Sequence, residues 1–557
     1  MDVATGIQTE SVATSFLGKL ASGLKRQSLS KCSKWAMEYR IMGKPFPGPW
    51  TFKHHPWLEA MHDSPAELNI GQKSAQVGYT ELILNWTFYN IDKHGESVLY
   101  VLPTDDNAGD FSAARFDSAL ELSPHLSKLF SNVKNTKLKR AGSASLYIRG
   151  SRSQNKLISV PVSRCAVDEL DKMVIENIPL IWERMSGQLS KQAWLISTPT
   201  APTVGINKFF MASTQNHAFF KCPHCNRFIE LEFPKNMIVV GEGPNDPRVC
   251  ESHYICDVCK ARLDHETKDT WMPSINWMPS FADRDSAGWY VNQMYSRTVS
   301  PVEFAKQYLK SITDPVEEQE FFNSKLGLPH LVDGARIDDA EITACLATHT
   351  NASKPGLNTL VTMGVDVGKW LHFEIDEWSL AKNPTSSDMH ILATPTVMYI
   401  GKVANFEDLD AIMLRYMVMH CVIDANPERR KALEFCSRFH GIATMCFYGN
   451  EQKGKEIRLG AEMPSCTVDR TAWLDISLGR VIKGKKCIRL PYDCPHEYKE
   501  HLKALMKIYE KDALGNPSAK YINGGGDDHY GHARNYAEIA LSLCAVSTKA
   551  QNISNVM

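Results

Sequence analysis

Short apolar runs alternate with helix-like stretches over residues 60–200 of the chain. The run at 97–102, Ser-Val-Leu-Tyr-Val-Leu, predicts a buried strand, and a turn follows it at 103–106. The runs at 164–167 and 193–196 have the same character. Strands that are apolar on both faces are typical of parallel sheets, in which helices connect one strand to the next. This part of the chain therefore predicts a mostly parallel α/β sheet.

Residues 217–265 break the pattern with paired cysteines and clusters of Gly, Pro, Asn and Asp, and they predict a small inserted module. A polar stretch at 347–358 predicts a linker to a second α/β unit. That unit is predicted to open with a strand at 360–365, to have another at 418–423, and to end in a helix at 532–546.

The length of 557 residues exceeds what one hydrophobic core usually holds and predicts two or three domains. Hydrophobic residues make up 43% and charged residues 22%, an ordinary globular composition. The net charge of −1 leaves nucleic-acid binding open, because local clusters of Lys and Arg decide it. Such clusters, at 134–140, 149–152, 453–458 and 483–489, fit either a DNA track or a solvated face.

Targeting and membrane signals are missing from the sequence. Residues 1–30 lack the apolar core of a signal peptide, and the apolar run at 537–546 is shorter than the ~20 residues that span a bilayer. We therefore expect a soluble, intracellular protein that does not contact membranes. The chain has 15 cysteines, and two C-x-x-C pairs among them predict thiols and a metal site rather than a disulfide framework.

The segment at 72–80, Gln-Lys-Ser-Ala-Gln-Val-Gly-Tyr-Thr, has features of a displaced phosphate-binding loop. Such a loop needs backbone N–H groups around the phosphates, a Lys at the terminal phosphates and a hydroxyl on Mg²⁺. Compared with the usual loop, the second Gly (Gly78) and the hydroxyl residue (Thr80) are in their usual positions. Tyr79 occupies the position of the usual Lys, and Lys73 lies at the first position of the loop instead. A loop with one Gly and one Lys is more often structural. The candidate nucleotide-binding residues are Lys73, Ser74, Gly78, Tyr79 and Thr80.

An apolar strand at 164–167 ends in Asp168 and Glu169. In a nucleotide site Asp168 would hold Mg²⁺ through water, and Glu169 would orient or deprotonate the attacking water. The alternative is a helix cap with a first-turn acid; the preceding loop favours the catalytic interpretation. The next strand ends in Ser-Thr-Pro-Thr at 197–200, where Thr198 could sense the γ-phosphate or simply cap a turn.

Two C-x-x-C pairs, at 222–225 and 256–259, are separated by 30 residues. Tetrahedral Zn²⁺ needs four soft ligands, and two such pairs supply them. Rival ligands are His224, Cys250 and His253. The pattern predicts a structural zinc site whose ligands are Cys222, Cys225, Cys256 and Cys259.

Two Asp residues stand at strand ends in the second α/β unit. Asp366 lies in Gly-Val-Asp-Val-Gly, and Asp424 follows the apolar run at 418–423. Cleavage of DNA by two metal ions needs carboxylates that converge from different strands. Each Asp alone fits a turn or a cap equally well. The pair predicts a divalent-metal site.

These motifs, in this order, resemble those of the large terminase subunits of lambda-like phages. The segment at 73–80 resembles their deviant phosphate loop, 150–171 their acidic-strand motif, and 197–200 their coupling motif. The family also has a Cys-Pro-His-Cys followed by a second Cys-rich turn. The resemblance extends from about residue 50 to the C-terminus, but no adenine-reading Gln motif is evident in the region 49–57.

The resemblance implies roles for particular residues. Lys73 and Thr80 would bind ATP–Mg²⁺, Glu169 would be catalytic, and Thr198 would help to couple hydrolysis to movement.

The resemblance also implies an RNase H-like nuclease in which Asp366 bridges two metal ions and Asp424 binds one. The family's final helix opens with a pattern resembling His-x-x-Asp-Ala-x-x-Tyr-Ala, and the segment 529–537 puts His532 in the Asp position. Imidazole is a poorer ligand for Mg²⁺ than for Mn²⁺. The third catalytic residue is therefore expected to be His532 or Asp528.

The expected fold class is α/β, with a P-loop-type ATPase domain on a parallel sheet, a small zinc-ribbon-like insert and a C-terminal RNase H-like α/β nuclease domain. The expected segments are an N-terminal arm at 1–45, the ATPase domain at 46–215, the zinc-binding insert at 216–270, the remainder of the ATPase domain with a linker at 271–350, and the nuclease domain at 351–557.

The implied function is ATP-driven translocation of double-stranded DNA into a procapsid and metal-dependent cutting of concatemeric DNA. The implied cofactors are ATP, Mg²⁺ (or Mn²⁺ at the nuclease) and Zn²⁺. The implied partners are DNA, the portal protein, the small terminase subunit and further copies in a ring, where Arg149, Arg152 or Arg184 would reach a neighbour's γ-phosphate. The expected location is the host cytoplasm of an infected bacterium and not the mature virion.

Two other functions are compatible with the same residues. One is an ATP-independent RNase H-like strand-transfer enzyme of the integrase or transposase type. The other is a non-catalytic, zinc-stapled DNA-binding protein.

Overall fold

The chain forms two compact units, Met1–His330 and Leu331–Met557. Of the arm expected at 1–45, residues 1–28 lie outside the described part. The second unit begins before the linker predicted at 347–358, because Ile337 and its neighbours pack in a core of that unit. The computed structural model describes residues 29–131, 133–158, 160–380, 392–449, 453–484, 487–512 and 514–554.

The first unit is built around one large sheet. Its order is β11-β10-β16-β3-β9-β8-β4-β7-β6-β5, and β15 also pairs with β10. The strands of this unit are β1 (Ile41–Met42), β2 (Gly48–Pro49), β3 (Leu68–Lys73), β4 (Val98–Leu102), β5 (Val133–Asn135), β6 (Leu138–Ala141), β7 (Ala144–Gly150), β8 (Arg164–Asp168), β9 (Gln192–Ser197), β10 (Asn216–Lys221), β11 (Phe228–Ile229), β12 (Met237–Ile238), β13 (His253–Ile255), β14 (Arg262–Leu263), β15 (Asn276–Pro279) and β16 (Ala287–Val291).

In the part of the sheet order that runs β10-β16-β3-β9-β8-β4-β7, every pair of neighbouring strands is parallel. At the edges, β11 and β15 pair with β10 in the antiparallel direction, as do β6 with β7 and β5 with β6. This confirms the predicted parallel α/β sheet. Along β4, Leu99 and Val101 enter one hydrophobic cluster while Val98 and Tyr100 enter another. Successive side chains of a strand point to opposite faces, so the sheet is buried on both sides.

Helices cover the two faces of this sheet. The α-helices are Cys32–Tyr39, Leu58–His62, Tyr79–Tyr89, Asp105–Phe111, Ser118–Leu122, Pro124–Leu129, Gln154–Ile158, Ile178–Glu183, Gly205–Met211, Lys268–Trp271, Pro301–Ser311 and Pro315–Glu320.

The cysteine module grows out of the edge of the main sheet. Strand β10 opens the segment expected at 216–270, yet it pairs in parallel with β16 through Asn216 and His217. A separate small sheet, β12-β13-β14, follows it. The insert therefore shares its first strand with the main sheet.

The second unit contains a sheet of order β19-β18-β17-β20-β21-β23-β22 and a separate β24-β25 hairpin. Strands β17, β18 and β19 are antiparallel neighbours, whereas β17, β20, β21 and β23 run parallel. The strands are β17 (Leu360–Val367), β18 (Leu371–Leu380), β19 (Ala393–Val403), β20 (His420–Asp424), β21 (Ala443–Tyr448), β22 (Arg458–Leu459), β23 (Ser465–Val468), β24 (Leu505–Lys511) and β25 (Pro517–Asn523).

The last helix packs across β17. Thr362 Oγ1 donates to the carbonyl of Ala537 at 3.0 Å. A Cβ on Gly364 would lie 2.0 Å from the carbonyl oxygen of Ala533, so only glycine permits this approach. The α-helices of the unit are Asp339–Cys345, Phe406–Arg415, Arg429–Arg438, Arg470–Ile482, His496–Ala504 and His529–Ser554.

None of the helices in the described ranges combines the length and the apolar character needed to cross a membrane.

Candidate functional site

The predicted phosphate loop connects β3 to the helix Tyr79–Tyr89. Gly78 precedes the helix with a φ of 83°, a left-handed conformation that glycine adopts without strain. No side chain caps this helix start, so its first N–H groups are open to an anion. Trp57 fixes the loop backbone, because its Nε1 donates to the carbonyl of Val77 at 2.9 Å.

Two of the residues expected to contact nucleotide are buried in the protein. Tyr79 is 1% exposed, and its ring packs against Gly71, where no side chain intervenes. Ser74 is fully buried, and its N–H donates to Val291 O at 3.1 Å. The N–H of Ser74 is thus engaged within the protein, and the Tyr79 side chain belongs to the hydrophobic core, so Tyr79 can offer a phosphate only its backbone N–H at the helix start.

The side chains of Thr80 and Asp168 contact each other. Thr80 Oγ1 donates to Asp168 Oδ2 at 3.2 Å, and Tyr100 from β4 donates to the same oxygen at 2.9 Å. Burial raises the pKa of Asp168, while the positive charge of Lys73 and these two hydrogen bonds oppose the rise. The structure thus brings Lys73, Thr80 and Asp168 together at the carboxyl ends of parallel strands. The sequence analysis missed Tyr100, whose only signal was a hydroxyl within an apolar run.

Glu169 directly follows β8 in a left-handed conformation, with a φ of 63°. This region is costly for a residue with a long side chain and is retained where the surroundings demand it. The Glu169 carboxylate is half exposed and lies 3.2 Å from Lys172 Nζ. It is therefore free to face a substrate bound at the loop.

The segment after β9 is held by Asp171. Its carboxylate accepts the N–H of Thr200 at 2.8 Å and the N–H of Ile206 at 2.7 Å. Its own N–H donates to Ser197 Oγ at 3.1 Å. Burial raises the pKa of Asp171 to about 6. Thr198, half exposed between these anchors, directly follows β9, the strand next to β8.

The four cysteines of the two C-x-x-C pairs converge. Cys222 Sγ lies 3.9 Å from Cys259 Sγ, and Cys225 Sγ lies 3.8 Å from Cys256 Sγ. Four sulfurs about 2.3 Å from a tetrahedral Zn²⁺ are separated by roughly 3.8 Å, so the donor set fits this ion. The rival ligands lie elsewhere: His224 Nε2 contacts Arg262 O at 3.1 Å, and Cys250 is exposed.

The two cysteine turns have the same backbone geometry. In each turn the N–H of the residue after the second Cys donates to the carbonyl of the first Cys at 2.9 Å. A backbone N–H also donates to the Sγ of the first Cys at 3.5 Å, from His224 in one turn and from Cys259 in the other. Asn226 and Lys260, each four residues after the first Cys of its turn, both have a φ of 61°. Such N–H···S bonds suit thiolates that share a cation.

In the second unit Asp366 and Asp424 lie on neighbouring parallel strands. Val365 pairs with Ile423, so the two carboxylates that follow stand side by side on the opposite face. Burial raises the pKa of Asp424 to about 6, and the nearby charge of Asp366 adds to the rise. Mutual repulsion of this kind is relieved by a bound cation.

Two histidines that the sequence analysis missed surround Asp366. His372 is its direct partner in the antiparallel β17–β18 pair, and cross-strand partners share one face. His529 Nδ1 lies 2.8 Å from Asp366 Oδ2. This contact raises the pKa of His529, whereas burial lowers the pKa of His372 to about 4.

The residues expected to complete the nuclease site have other partners. His532 Nδ1 lies 3.0 Å from the hydroxyl of Tyr448, and its Nε2 lies 3.3 Å from the guanidinium of Arg470. Asp528 Oδ2 lies 3.6 Å from the same Nε2. Both ring nitrogens of His532 are thus engaged within the protein, and Asp528 lies beside it. The charge of His532 also lowers the pKa of Asp424, against the larger effect of burial.

Comparisons with known proteins match two consecutive family models to the chain. A family model described as phage terminase large subunit gpA, ATPase domain, matches residues 45–277. A second, described as terminase large subunit gpA, endonuclease domain, matches residues 286–551. The large terminase of bacteriophage HK97 has a similar fold, with a TM-score of 0.50 over 92% of this chain and 99% of that chain, at 11% identity.

Two curated relatives are similar in sequence. The terminase large subunit of Escherichia phage lambda is 25% identical over 335 residues, which cover 54% of this chain and 52% of the relative. That of Enterobacteria phage P21 is 23% identical over 345 residues, which cover 56% and 53%. The chain thus spans about half the length of the curated relatives it matches.

The fold and the sites define a protein with an ATPase-type α/β unit followed by a nuclease-type α/β unit. The chain belongs to the gpA family of phage terminase large subunits.

Proposed function

We propose that the chain uses ATP hydrolysis to move double-stranded DNA into a procapsid and cuts concatemeric DNA with divalent metal ions. The observation that carries the proposal is the presence of two separate carboxylate centres at the ends of parallel strands. One joins Asp168 to the phosphate loop through Thr80, and the other places Asp366 beside Asp424. Both arrangements supply what phosphate chemistry with metal ions requires.

At the first centre, the open helix start and Lys73 would bind the phosphates of ATP. Thr80 and Asp168 would hold Mg²⁺, and Glu169 would orient the attacking water. Thr198 would report hydrolysis, because Asp171 ties its segment to the residues that follow Glu169.

At the second centre, Asp366 would bridge two metal ions and Asp424 would bind one of them. His532 and Asp528 would act beside the metal, where Arg470 could neutralise a DNA phosphate. The four cysteines would hold Zn²⁺ and stabilise the insert.

The partners proposed are double-stranded DNA, the portal protein, the small terminase subunit and further copies of this chain in a ring. Of the arginines considered for reaching a neighbour's nucleotide, Arg149 donates to Lys137 O and Arg184 donates to Ile158 O. Arg152 is exposed just beyond β7, and this favours it as the residue that acts across subunits.

The test measures ATP hydrolysis and plasmid nicking for the same set of purified variants. Glu169→Ala is expected to lower ATP hydrolysis by about 100-fold or more, because a general base contributes at least this factor, and to leave nicking intact. Asp366→Ala is expected to abolish nicking and to leave ATP hydrolysis intact.

Matched controls use exposed acids of the same units, Glu176→Ala and Glu434→Ala, which should change neither activity. Nicking without any ATP hydrolysis would instead favour a strand-transfer enzyme. If Glu169→Ala and Asp366→Ala both keep full activity in both assays, the proposed sites are wrong.

A further inference from the structure

Three side chains at the end of β17 form a cluster with the donor atoms of a transition-metal site. One donor atom from each of Asp366, His372 and His529 lies within 4.8 Å of the other two. The three residues come from β17, β18 and the first turn of the final helix. The fold thus brings together two imidazoles and a carboxylate that are far apart in sequence.

His372 supplies the second observation. Its side chain is 3% exposed, and its Nδ1 has no hydrogen-bond partner in the described structure. Buried polar atoms nearly always have a partner, so a lone nitrogen beside a carboxylate calls for one. His501, the next imidazole, is not available in the same way, because its Nδ1 accepts the N–H of Tyr530 at 3.3 Å.

The rings of the two histidines are stacked on each other. The centroids of His372 and His529 are 4.6 Å apart, with an interplanar angle of 10°. His529 meets Asp366 through Nδ1, and its side chain is one-third exposed, so an ion could enter from solvent on that side.

The chemistry of the donors selects the ion. Mg²⁺ prefers an octahedron of oxygen ligands and water, whereas imidazole ligands favour first-row transition ions. We propose that Asp366, His372 and His529 together bind a first-row divalent transition ion, such as Mn²⁺, in preference to Mg²⁺. The proposal deepens the proposed nuclease function and rests on it for its biological role.

The experiment titrates Mn²⁺ and Mg²⁺ into the full-length protein with its zinc retained, and follows free Mn²⁺ by electron paramagnetic resonance. Bound Mn²⁺ should show nitrogen modulation in a pulsed (ESEEM) spectrum. His372→Gln and His529→Gln should each weaken Mn²⁺ binding by about tenfold or more, since even outer partners of a metal site cost 10–100-fold. The nitrogen modulation should weaken in each variant and vanish in the double variant.

A further variant serves as the control. His440→Gln, at an exposed position of the same unit, should keep the nitrogen modulation and the Mn²⁺ affinity. If His372→Gln fails to fold, His529→Gln decides, because its side chain is one-third exposed.

The inference is overturned if Mn²⁺ bound to the wild type shows no nitrogen modulation, or if neither variant changes its affinity. Its failure can be told from failure of the proposed function. Nitrogen-ligated Mn²⁺ without any DNA cleavage supports the metal site and contradicts the nuclease. DNA cleavage with Mg²⁺ and no nitrogen modulation does the reverse.

Discussion

At the scale of single residues, Asp168 is a buried carboxylate whose charge depends on three neighbours. Burial raises its pKa, and Lys73, Tyr100 and Thr80 oppose this. A carboxylate that must bind a metal ion has to stay ionised, and all three neighbours favour the ionised form. Lys73 and Thr80 are also proposed to bind ATP–Mg²⁺, whereas Tyr100 acts only through Asp168. Tyr100 is a positioning residue of this kind.

We predict that Tyr100→Phe lowers ATP hydrolysis about tenfold or more, because hydrogen bonds to charged groups contribute about 1.5–3 kcal/mol. The fold should persist, since the ring still packs against Phe111 and Phe116 at centroid distances of 5.1 and 5.2 Å. The Mg²⁺ concentration needed for half-maximal activity should also rise. Steady-state kinetics and thermal unfolding test this prediction. Tyr147→Phe, on the neighbouring strand, is the control. An equal loss of ATP hydrolysis in both variants would contradict the positioning role of Tyr100.

Residues with a motif were predictable from the sequence, and residues that act through tertiary contacts were not. Lys73, Thr80 and Asp168 stand at spacings that phosphate chemistry imposes. His372 approaches Asp366 only through strand register, so no linear spacing marks it. His529 stands at the first position of the pattern matched at 529–537, but only helix packing places it against Asp366. Tyr79 is the opposite case, in which a motif suggested a role and tertiary packing gave the side chain another position. The motif predicted Tyr79 in the nucleotide site, but its ring packs against Gly71, which has no side chain, and lies in the core.

At the scale of elements, the two cysteine turns are small loops within a module of little regular structure. Their strands are short, with β11, β12 and β14 of only two residues each. Segments of this kind rarely bury enough apolar surface to fold without a cross-link or a metal. The convergence of four sulfurs compensates for this shortage.

We predict one Zn²⁺ per chain, lost in Cys256→Ser and retained in Cys250→Ser. Binding energy at such sites is folding energy, on the order of 10 kcal/mol, so its loss should lower the unfolding midpoint of the first unit by more than about 5 °C. Cys250 is the control because it is exposed and lies outside the sulfur cluster. Metal analysis of the purified variants, together with calorimetry, checks this. Zinc retained in both variants would contradict the assignment.

It was easier to predict that a segment forms a strand than to predict the sheet to which that strand belongs. The apolar runs at 97–102 and 418–423 correspond to β4 and β20, because burial on both faces leaves an unmistakable pattern. Strand β10 looks like part of the cysteine module in sequence, and only its pairing with β16 assigns it to the main sheet. Pairing between distant segments depends on contacts that local patterns do not contain.

At the scale of the whole molecule, each of the two units has hydrophobic cores of its own. The boundary at Leu331 precedes the polar stretch at 347–358, because a few apolar residues such as Ile337 pack into the second unit. A polar composition indicated a linker, but packing decided where the unit begins. Domains with separate cores and separate ligands are expected to respond to those ligands separately.

We predict two unfolding transitions in calorimetry, each sensitive to one ligand. ADP with Mg²⁺ at about 100 times its dissociation constant should stabilise the first unit by about 2.7 kcal/mol and raise only its midpoint, by about 4 °C. Mn²⁺ should raise only the midpoint of the second unit. Lys73→Ala should abolish the shift caused by ADP with Mg²⁺, and His529→Gln should abolish the shift caused by Mn²⁺. Each substitution removes a group that is proposed to bind the ligand and that is not part of a hydrophobic core. A single transition that both ligands move together would mean that the two centres share one cooperative unit.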